Sequence, residues 1–126
     1  YNEVTIVPSP KQRTIPIWIG GSADSVIKRA AKLGDGWMPI LSPDDEGKAA
    51  LEKLNTYLDD FGRKRQEFGI EAWMRFSENN PETWGATADE WRAMGADMVM
   101  LYPMWEINGV DGQIEILRKF KEVVDG

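Results

Sequence analysis

The stretch from Pro16 to Ser22 limits the fold of this chain more than any other part of the sequence. It reads Pro-Ile-Trp-Ile-Gly-Gly-Ser, so a short apolar strand follows a proline and ends in two glycines that can turn the chain sharply. Ser22 stands where it can cap a helix, and Asp24 falls in the first turn, at the positive end of the helix dipole. An apolar stripe and a basic face then alternate at helical spacing. The stripe contains Val26, Ile27, Ala30 and Ala31, and the basic face contains Lys28, Arg29 and Lys32.

A second strand is predicted directly after this helix, at residues 36–40, which read Gly-Trp-Met-Pro-Ile. Gly34 is predicted to end the helix in the left-handed conformation. A strand, a helix and a strand in this order form a βαβ unit, whose two strands run parallel. Free amide groups at the glycine turn and the helix N-terminus make a place where a phosphate can bind. An ordinary connecting turn has the same pattern, so the residues alone leave both interpretations open.

The same alternation continues through the middle of the chain. Ser42 is predicted to cap a second helix with Pro43 at its first position. Apolar residues then recur at helical spacing until Gly62 interrupts the pattern. These residues are Ala50, Leu51, Leu54, Leu58 and Phe61. Residues 70–76 are predicted to form a third strand.

A third helix is predicted to begin at residues 80–82 and to end at Gly95. The capping-box spacing of Thr87 and Glu90 leaves open a restart of this helix after Gly85. The apolar face of the helix contains Trp84, Ala88 and Trp91.

The last part of the chain is predicted to hold a fourth strand at residues 97–102, a loop at 103–112 and a final amphipathic helix. The strand is nearly all apolar, which is typical of parallel strands buried on both faces. The final helix carries Ile114, Leu117, Phe120 and Val123 or Val124 on its apolar face. The fold class is therefore α/β, with four βα units and parallel strands.

An internal repeat supports this order, since residues 32–38 and 93–99 both contain a helix end, a glycine, an aspartate and a strand start. No composition shift separates two domains, so residues 1–126 are expected to form a single domain. Residues 1–15 contain Pro8 and Pro10, which prevent continuous strand pairing. They are predicted to form an extended lead-in, with a short strand possible at residues 4–7.

Composition excludes several kinds of chemistry. The net charge is -6 and the isoelectric point is about 4.7, which disfavours binding to nucleic acid or to an anionic membrane, because phosphate groups would be repelled. The sequence has no cysteine and no histidine, so disulfides, thiolate nucleophiles and imidazole bases are absent, and a metal site is not expected. No apolar run reaches the length of a membrane span, and a cytoplasmic location is expected.

Several residues near the predicted strand ends have two open interpretations. The basic run at 63–65 is either an exposed helix end that favours cations or an anion site. Lys11 and Arg13 are either solvated or in contact with an anion. Glu78 and Glu106 are either solvated loop carboxylates or an acid and base pair.

Aromatic residues have a similar ambiguity. Tyr102 and Trp105 either pack or line a substrate pocket, and Arg75, which lies inside a predicted strand, is either paired or directed between helices. The expected packing residues are Trp18, Trp37 and Trp73. The other residues expected after the strand ends are Ser42, Ser77, Asn79 and Met104.

Two blocks of sequence resemble the luciferase-like monooxygenase family, which includes bacterial luciferase and the flavin- or coenzyme F420-dependent oxidoreductases. They are residues 16–22 and residues 29–37, which read Arg-Ala-Ala-Lys-Leu-Gly-Asp-Gly-Trp. Weaker similarity is found at Pro-Ser-Pro-Lys-Gln (8–12), at Phe-Gly-Arg (61–63) and from Trp84 through Trp91 to Gly95. The resemblance covers nearly the whole chain.

The resemblance implies a (β/α)8 barrel of which this chain supplies only four units, similar to strands five to eight. The half that is not in the sequence is where the family keeps a cis peptide under the flavin ring and much of its substrate pocket. Four strands leave two open sheet edges and a bare inner face. The chain is therefore a fragment of a whole enzyme, a half-barrel that pairs with itself, or a subunit completed by another chain.

The resemblance also implies a function: oxidoreductase or monooxygenase chemistry on a small-molecule substrate, with FMN or F420 as cofactor. Within it, the turn after the first strand lies near the cofactor phosphate. The residues implicated in cofactor binding are Ile19, Gly20, Gly21, Ser22 and Ser25. No catalytic residue follows from the sequence, and the chain alone is expected to be inactive. The expected partners are a second copy or an amino-terminal half-barrel, and the alternatives are a non-catalytic module that self-associates and a phosphoanion-binding domain unrelated to flavin.

Overall fold

The computed structural model of the protein describes Lys11, residues 14–76, 80–103 and 109–125. The possible strand at residues 4–7 lies outside these residues, and so do Arg13, Ser77, Glu78, Asn79, Met104, Trp105 and Glu106. Within the described part of the chain, four strands alternate with four longer helices. The strands are β1 (Trp18–Gly20), β2 (Gly36–Met38), β3 (Gly69–Arg75) and β4 (Met98–Tyr102). The helices are α1 (Asp24–Leu33), α2 (Asp45–Asp60), α3 (Trp84–Ala93) and α4 (Val110–Asp125), with a short 3-10 turn at Arg65–Glu67.

The four strands form one parallel sheet in the order β1-β2-β3-β4. This confirms the predicted α/β class and the succession of βα units. Because all strands run the same way, their carboxyl ends share one edge of the sheet, here called the carboxyl rim, and their amino ends share the opposite amino rim. The turn after β1 and the end of β4 at Tyr102 therefore lie on the same rim.

One face of the sheet is covered by the helices and holds the hydrophobic core. On β3 the residues of this face, Ile70, Ala72 and Met74, are fully buried. The predicted stripes of α1, α2 and α3 supply the other side of the core, including the three aligned residues of α3, which are all buried. The face predicted for α4 is mostly wrong, since Phe120 is buried but Ile114 and Leu117 are 48% and 44% exposed. The helix residues of the core are Ile27, Ala30, Ala31, Ala50, Leu51, Leu54, Leu58, Trp84, Ala88, Trp91 and Phe120.

The other face of the sheet, here called the open face, is not covered by any described helix. It carries residues of β3 and β4 that are half-buried or exposed, and Met98 at the start of β4 is 47% exposed. The prediction that β4 is buried on both faces is therefore wrong for this chain. Its apolar residues suit a barrel interior, and four strands do not enclose one. Trp73 and Tyr102 stack on this face with ring centroids 5.5 Å apart.

Trp18 lies on the open face at the amino rim and covers two glycines of the neighbouring strands. A Cβ atom added at Gly36 would lie 2.4 Å from the Trp18 ring, and one added at Gly69 would also lie 2.4 Å from it. Both distances are far below van der Waals contact, so only glycine fits beneath the indole. Trp18 is a packing residue, as predicted.

Two of the predicted helix caps are wrong. The cap of α1 is Ala23 rather than Ser22, and no side chain hydrogen-bonds to it. The cap of α2 is Asp44, whose Oδ1 accepts from the amides of Glu46 and Gly47 at 2.9 and 3.0 Å. Asp44 caps α2 in place of Ser42, because a charged acceptor makes a stronger hydrogen bond than a hydroxyl.

Gly34 also differs from its prediction. Its backbone is extended, with φ -85° and ψ 160°, so it is not a left-handed cap. A Cβ there would lie 3.0 Å from the carbonyl oxygen of Ala30 and 3.1 Å from that of Gly36. The backbone on either side therefore lies too close to Gly34 for a side chain, which explains why this position is a glycine. Gly62 and Gly95 do adopt positive φ, at 66° and 91°, as their predicted positions after helices suggest.

The third and fourth helices have shifted starts. Asn80 accepts hydrogen bonds from the amides of Glu82 and Thr83 in a turn that precedes α3, and the helix then runs without interruption through Gly85. The restart after Gly85, which the sequence left open, does not occur. The last helix begins at Val110, inside the predicted loop 103–112. Among the described residues, no helix is both long enough and apolar enough to cross a membrane.

The amino rim repeats one pair of hydrogen bonds. Asp35 accepts from the Ile17 amide through Oδ2 at 2.8 Å, and its own amide donates to the Ile17 carbonyl at 2.7 Å. Asp97 does the same with Ile70, at 2.8 and 2.9 Å. These two pairs, called the aspartate clamps below, join the end of a helix to the strand beside it. They are the structural form of the internal repeat seen in the sequence.

The basic run at residues 63–65 also belongs to the amino rim. Arg63 donates to the Ala31 carbonyl at 2.7 Å and lies over the Phe68 ring. Arg65 donates to the carbonyl oxygens of Phe68 and Gly95 and pairs with Asp97 at 3.2 Å. Arg63 thus binds a carbonyl oxygen in the last turn of α1, and Arg65 binds carbonyl oxygens before β3 and after α3. Neither arginine forms the exposed helix end that was one of the two interpretations.

Candidate functional site

The turn after β1 is held in place by the backbone of Gly21. Its amide donates to the Met38 carbonyl at 3.1 Å, and its carbonyl accepts from the Trp37 indole Nε1 at 2.7 Å. Gly21 has φ 121°, a value that side chains with a Cβ rarely adopt. The Gly21 amide is therefore already bonded, and its part is to fix the shape of the turn.

The amide groups that follow Gly21 are not bonded in this way. The first hydrogen bonds of α1 run from the amides of Val26 and Ile27 to the Ala23 carbonyl. The amides of Ser22, Asp24 and Ser25 make no hydrogen bond to another described residue. The side chains of Ser22 and Ser25 are exposed beside them. This helix start therefore presents free N–H groups and hydroxyls at the carboxyl rim, where an anion is favoured.

Asp24 puts a negative charge in the same turn, and two residues of α2 compensate it. Lys53 Nζ lies 3.6 Å from Asp24 Oδ1, and the Tyr57 hydroxyl donates to the carboxylate with both O–O distances at 3.0 Å. That hydrogen bond, with partial burial and the negative charges of Asp24 and Asp60, raises the pKa of Tyr57. The carboxylate is thus bound on the side of α2, which reduces its repulsion of an anion at the free amides.

Four of the five predicted cofactor residues lie together at this turn, and the fifth points elsewhere. Gly20 and Ser22 are exposed, Gly21 shapes the turn, and Ser25 follows in the first turn of α1. Ile19 packs against the hydrophobic core, because it shares the helix-covered face with its register partner Trp37. Only the backbone of Ile19 is therefore available at the rim, and cofactor contact by all five residues stays a prediction.

A second concave region lies two strands away on the same rim. Pairing of β2 with β3 is limited to Gly36 with Gly69 and Trp37 with Ile70, and Pro39, which has no amide hydrogen, follows β2. A cavity of about 230 Å³ lies beyond this point, and a second cavity of about 210 Å³ shares part of its lining. Arg75 lines the second cavity and lies on the open face, since its register partner is Tyr102.

Sequence reasoning missed three features of the rim. Lys53 is a mid-helix residue whose closeness to Asp24 depends on how α1 packs on α2, and no local pattern shows this. Trp91 was assigned to the core, yet it also lines the cavity of about 230 Å³. The third feature is the cavity itself. Pro39 indicated it in the sequence, because a proline at the end of a strand stops the pairing of that strand. Among the described residues, no group of three or more potential ligands could hold a metal ion.

Comparison with known proteins identifies the family of this chain. The family model for luciferase-like monooxygenases matches residues 1–118. The chain therefore belongs to the luciferase-like monooxygenase family, whose members use flavin or F420 cofactors. No protein of curated function matches the sequence.

A solved structure gives the same result for the fold. The coenzyme F420-dependent tetrahydromethanopterin reductase from Methanopyrus kandleri is similar with a TM-score of 0.59 and 13% sequence identity. The match covers 87% of this chain and 48% of the reductase chain. This chain thus spans about half the length of that relative, in agreement with four units of an eight-unit barrel.

Proposed function

We propose that this chain is the carboxyl-terminal half of the barrel of a flavin- or F420-dependent oxidoreductase that acts on a small-molecule substrate in the cytoplasm. The observation that carries the proposal is the sheet itself. Four parallel βα units, bare on the inner face, match about half of an F420-dependent enzyme. In (β/α)8 enzymes the active site lies at the carboxyl ends of the strands, where this chain presents its free amides.

The residues at the turn after β1 fit the phosphate of such a cofactor. Ser22, Asp24 and Ser25 offer amide hydrogens, and Ser22 and Ser25 add hydroxyls. A Cβ at Gly20 would meet nothing closer than 3.7 Å, so the space above this residue is open. The cofactor would supply the redox chemistry, hydride transfer or oxygen activation. The part of this chain is to bind and orient its phosphate.

The chain alone is expected to be inactive, because half of the barrel is not in its sequence. The open face supports completion by a second half. Trp73, Met100 and Tyr102 are only half-buried there, and apolar side chains of this size are usually covered in a finished barrel. In the proposal an amino-terminal half-barrel covers this face.

The test is a titration of FMN and of F420, followed by fluorescence, with the chain alone and after addition of the amino-terminal half of a family member's barrel. We expect weak or no binding alone and tighter binding in the mixture. In the mixture, Ser22→Glu should weaken binding by at least about tenfold, because a negative charge at the free amides repels phosphate. Gln66→Glu adds the same charge at the amino rim and should leave the affinity unchanged.

Two results would contradict the proposal. One is no gain in binding on mixing, and the other is equal loss with Ser22→Glu and Gln66→Glu. The second function considered, a self-associating module without catalysis, is favoured by the same bare face. Sedimentation over a range of concentrations separates the two, since a folded monomer at high concentration excludes self-pairing.

A further inference from the structure

The exposed apolar residues of α4 form one stripe along the helix. Val110, Ile114 and Leu117 are 71%, 48% and 44% exposed, and their spacing of four and three residues aligns them on one side of the helix. Lys121 continues the same line four residues further. These four residues are called the α4 flank below. Three neighbouring apolar side chains with this exposure are typical of a surface that another element covers.

The α4 flank lies on the side of the helix that faces away from α3. On the α3 side, Val123 lies beside Gly85, where an added Cβ would be 3.5 Å from Val123 Cγ1. A helix turns by about 100° per residue, which places Ile114 about 180° and Leu117 about 120° from Val123 around the helix axis. Helix α3 therefore does not cover the flank.

The sheet also has a free edge on this side of the molecule. β4 ends the strand order β1-β2-β3-β4, so its outer edge has no strand partner among the described residues. A parallel strand added to this edge would be followed by a helix on the same face of the sheet as α1 to α4, because crossovers between parallel strands are right-handed. That helix would lie beside α4, against the flank. The fold therefore places the helix of a further βα unit there.

The charges beside the α4 flank limit what that helix can carry. Lys121 lies within the flank, and Arg118 is about 60° from it around the helix axis, whereas Asp111, Glu115 and Glu122 are further round. Neither of the two basic residues forms an ion pair with another described residue. A helix whose apolar stripe is bordered by carboxylates would be attracted to this surface, and one bordered by basic residues would be repelled.

A second copy of this chain does not meet that requirement. The other free edge of the described sheet is that of β1, beside which lies α1. Lys28 and Lys32 of α1 lie over aromatic rings of α2, so the side of α1 away from α2 carries Leu33 and, at its border, Arg29. Edge-to-edge pairing of two copies would bring Arg29 of one copy towards the basic border of the other copy's α4 flank, where like charges repel.

We propose that the α4 flank is the docking surface for an amphipathic helix whose apolar stripe is bordered by aspartate or glutamate, and that this helix belongs to the amino-terminal half-barrel rather than to a second copy of this chain. The identity of the occupant rests on the proposed function, whereas the position and the charge of the surface do not. The match to about half of the reductase chain agrees with a separate half as the occupant.

The test measures the affinity between the 126-residue chain, labelled at its amino terminus with a fluorophore, and the amino-terminal half of a family member's barrel, without cofactor. That half is prepared in two forms, in which the residues bordering the apolar stripe of its helix beside β4 are all glutamate or all lysine. We expect the glutamate form to bind at least about fivefold more tightly, because exposed charge pairs contribute modestly and add. Sedimentation of the chain alone should show a monomer over a range of concentrations.

Substitutions on α4 assign the effect to this surface. Ile114→Ser combined with Leu117→Ser should weaken the binding of both forms by at least about tenfold, because apolar contact is lost. The thermal midpoint of the chain alone should stay unchanged, since both residues are exposed. Lys121→Glu should remove the preference for the glutamate form. Lys119→Glu makes the same charge change at an exposed residue about 160° from Lys121 and should leave that preference intact.

Three results would overturn the docking surface. They are equal binding of the glutamate and lysine forms, an equal effect of Lys121→Glu and Lys119→Glu, and a dimer of the chain alone that Leu117→Ser dissociates. A gain of cofactor binding on mixing would in each case leave the proposed function standing. If neither form of the amino-terminal half binds the chain, both the docking surface and the proposed function are wrong.

Discussion

The two rims of the sheet use their polar groups in opposite ways. At the amino rim, aspartates and arginines bind the backbone of the neighbouring elements, as the two aspartate clamps and the bonds from Arg63 and Arg65 show. At the carboxyl rim, the amides of Ser22, Asp24 and Ser25 are free of described partners.

This difference separates stability from binding within one sheet. Groups that are already bonded contribute to holding the strands in register, whereas unbonded donors can be used by a ligand. The amino rim is thus expected to be sensitive to mutation in stability measurements, and the carboxyl rim in binding measurements. The predictions below test that division, beginning with the largest expected loss of stability.

Gly36→Ala should cause the largest loss. The added methyl group would lie 2.4 Å from the Trp18 ring, so the indole or the strand must move. Forced overpacking of this kind costs about 1–3 kcal/mol. Urea denaturation of the variant should show a lower midpoint and a free energy of unfolding reduced by this amount.

The control is the same substitution in a Trp18→Ala background, where the space above Gly36 is empty. The cost of the added methyl group should then fall below about 1 kcal/mol, giving a positive coupling between the two sites. An equal cost in both backgrounds would show that Trp18 is not the obstacle.

Asp97→Ala should come next, with a loss of about 1–3 kcal/mol in the free energy of unfolding. It leaves the amide of buried Ile70 without its side-chain acceptor and removes the ion pair with Arg65. Asp35→Ala removes the other clamp and should cost less, about 1 kcal/mol, because Ile17 is 55% exposed and water can replace the carboxylate. Thermal denaturation of both variants checks the order, and the reverse order would contradict the argument from exposure.

At the carboxyl rim, Ser22→Ala should change the free energy of unfolding by less than about 0.5 kcal/mol, since its hydroxyl caps nothing. Asp44→Ala is the informative comparison, because Asp44 does cap α2, and its loss should cost about 1 kcal/mol. If Ser22→Ala were as costly as Asp44→Ala, the turn after β1 would have a structural role that its contacts do not show.

The smallest effect should be a dependence on alkaline pH through Tyr57. Its pKa is raised by donation to Asp24, so the protonated hydroxyl is favoured in the folded state. This contribution is present in full below the usual tyrosine pKa of about 10 and is lost as the pH rises through the raised value. Denaturation at a series of alkaline pH values should show this loss. Tyr57→Phe should abolish the pH dependence and should already lack the same small contribution at neutral pH.

The order of elements and the core could be predicted from the sequence because both depend on local periodicity. The stripes of α1, α2 and α3 are buried where helical spacing places them, and the glycines at 62 and 95 follow helices with positive φ. The sequence showed the aspartate clamps as an aspartate repeated in two segments, although it did not show the hydrogen bonds that the two aspartates make.

The predictions failed in two situations. In the first, either of two neighbouring residues can cap a helix. In the second, the environment of a residue depends on elements that are distant in the sequence. Asp44 replaced Ser42 as a cap because both side chains can accept from the first amides of α2. The apolar residues of β4 by themselves favoured burial on both faces, and only the family resemblance indicated that the inner face would be left bare. At the candidate site, the exposed turn was predicted, but the bonded amide of Gly21 and the cavity beyond the end of β2 depend on strand pairing that sequence spacing does not fix.

The aspartate clamps also bear on how the chain reaches its native state. Each clamp closes a short segment, joining residues 18 positions apart in one case and 27 in the other. Contacts of such short range lose little chain entropy when they form and are associated with fast folding. Strand alignment can therefore be set within one βα repeat before the next has been added, so the sheet can assemble in the order in which a ribosome delivers it.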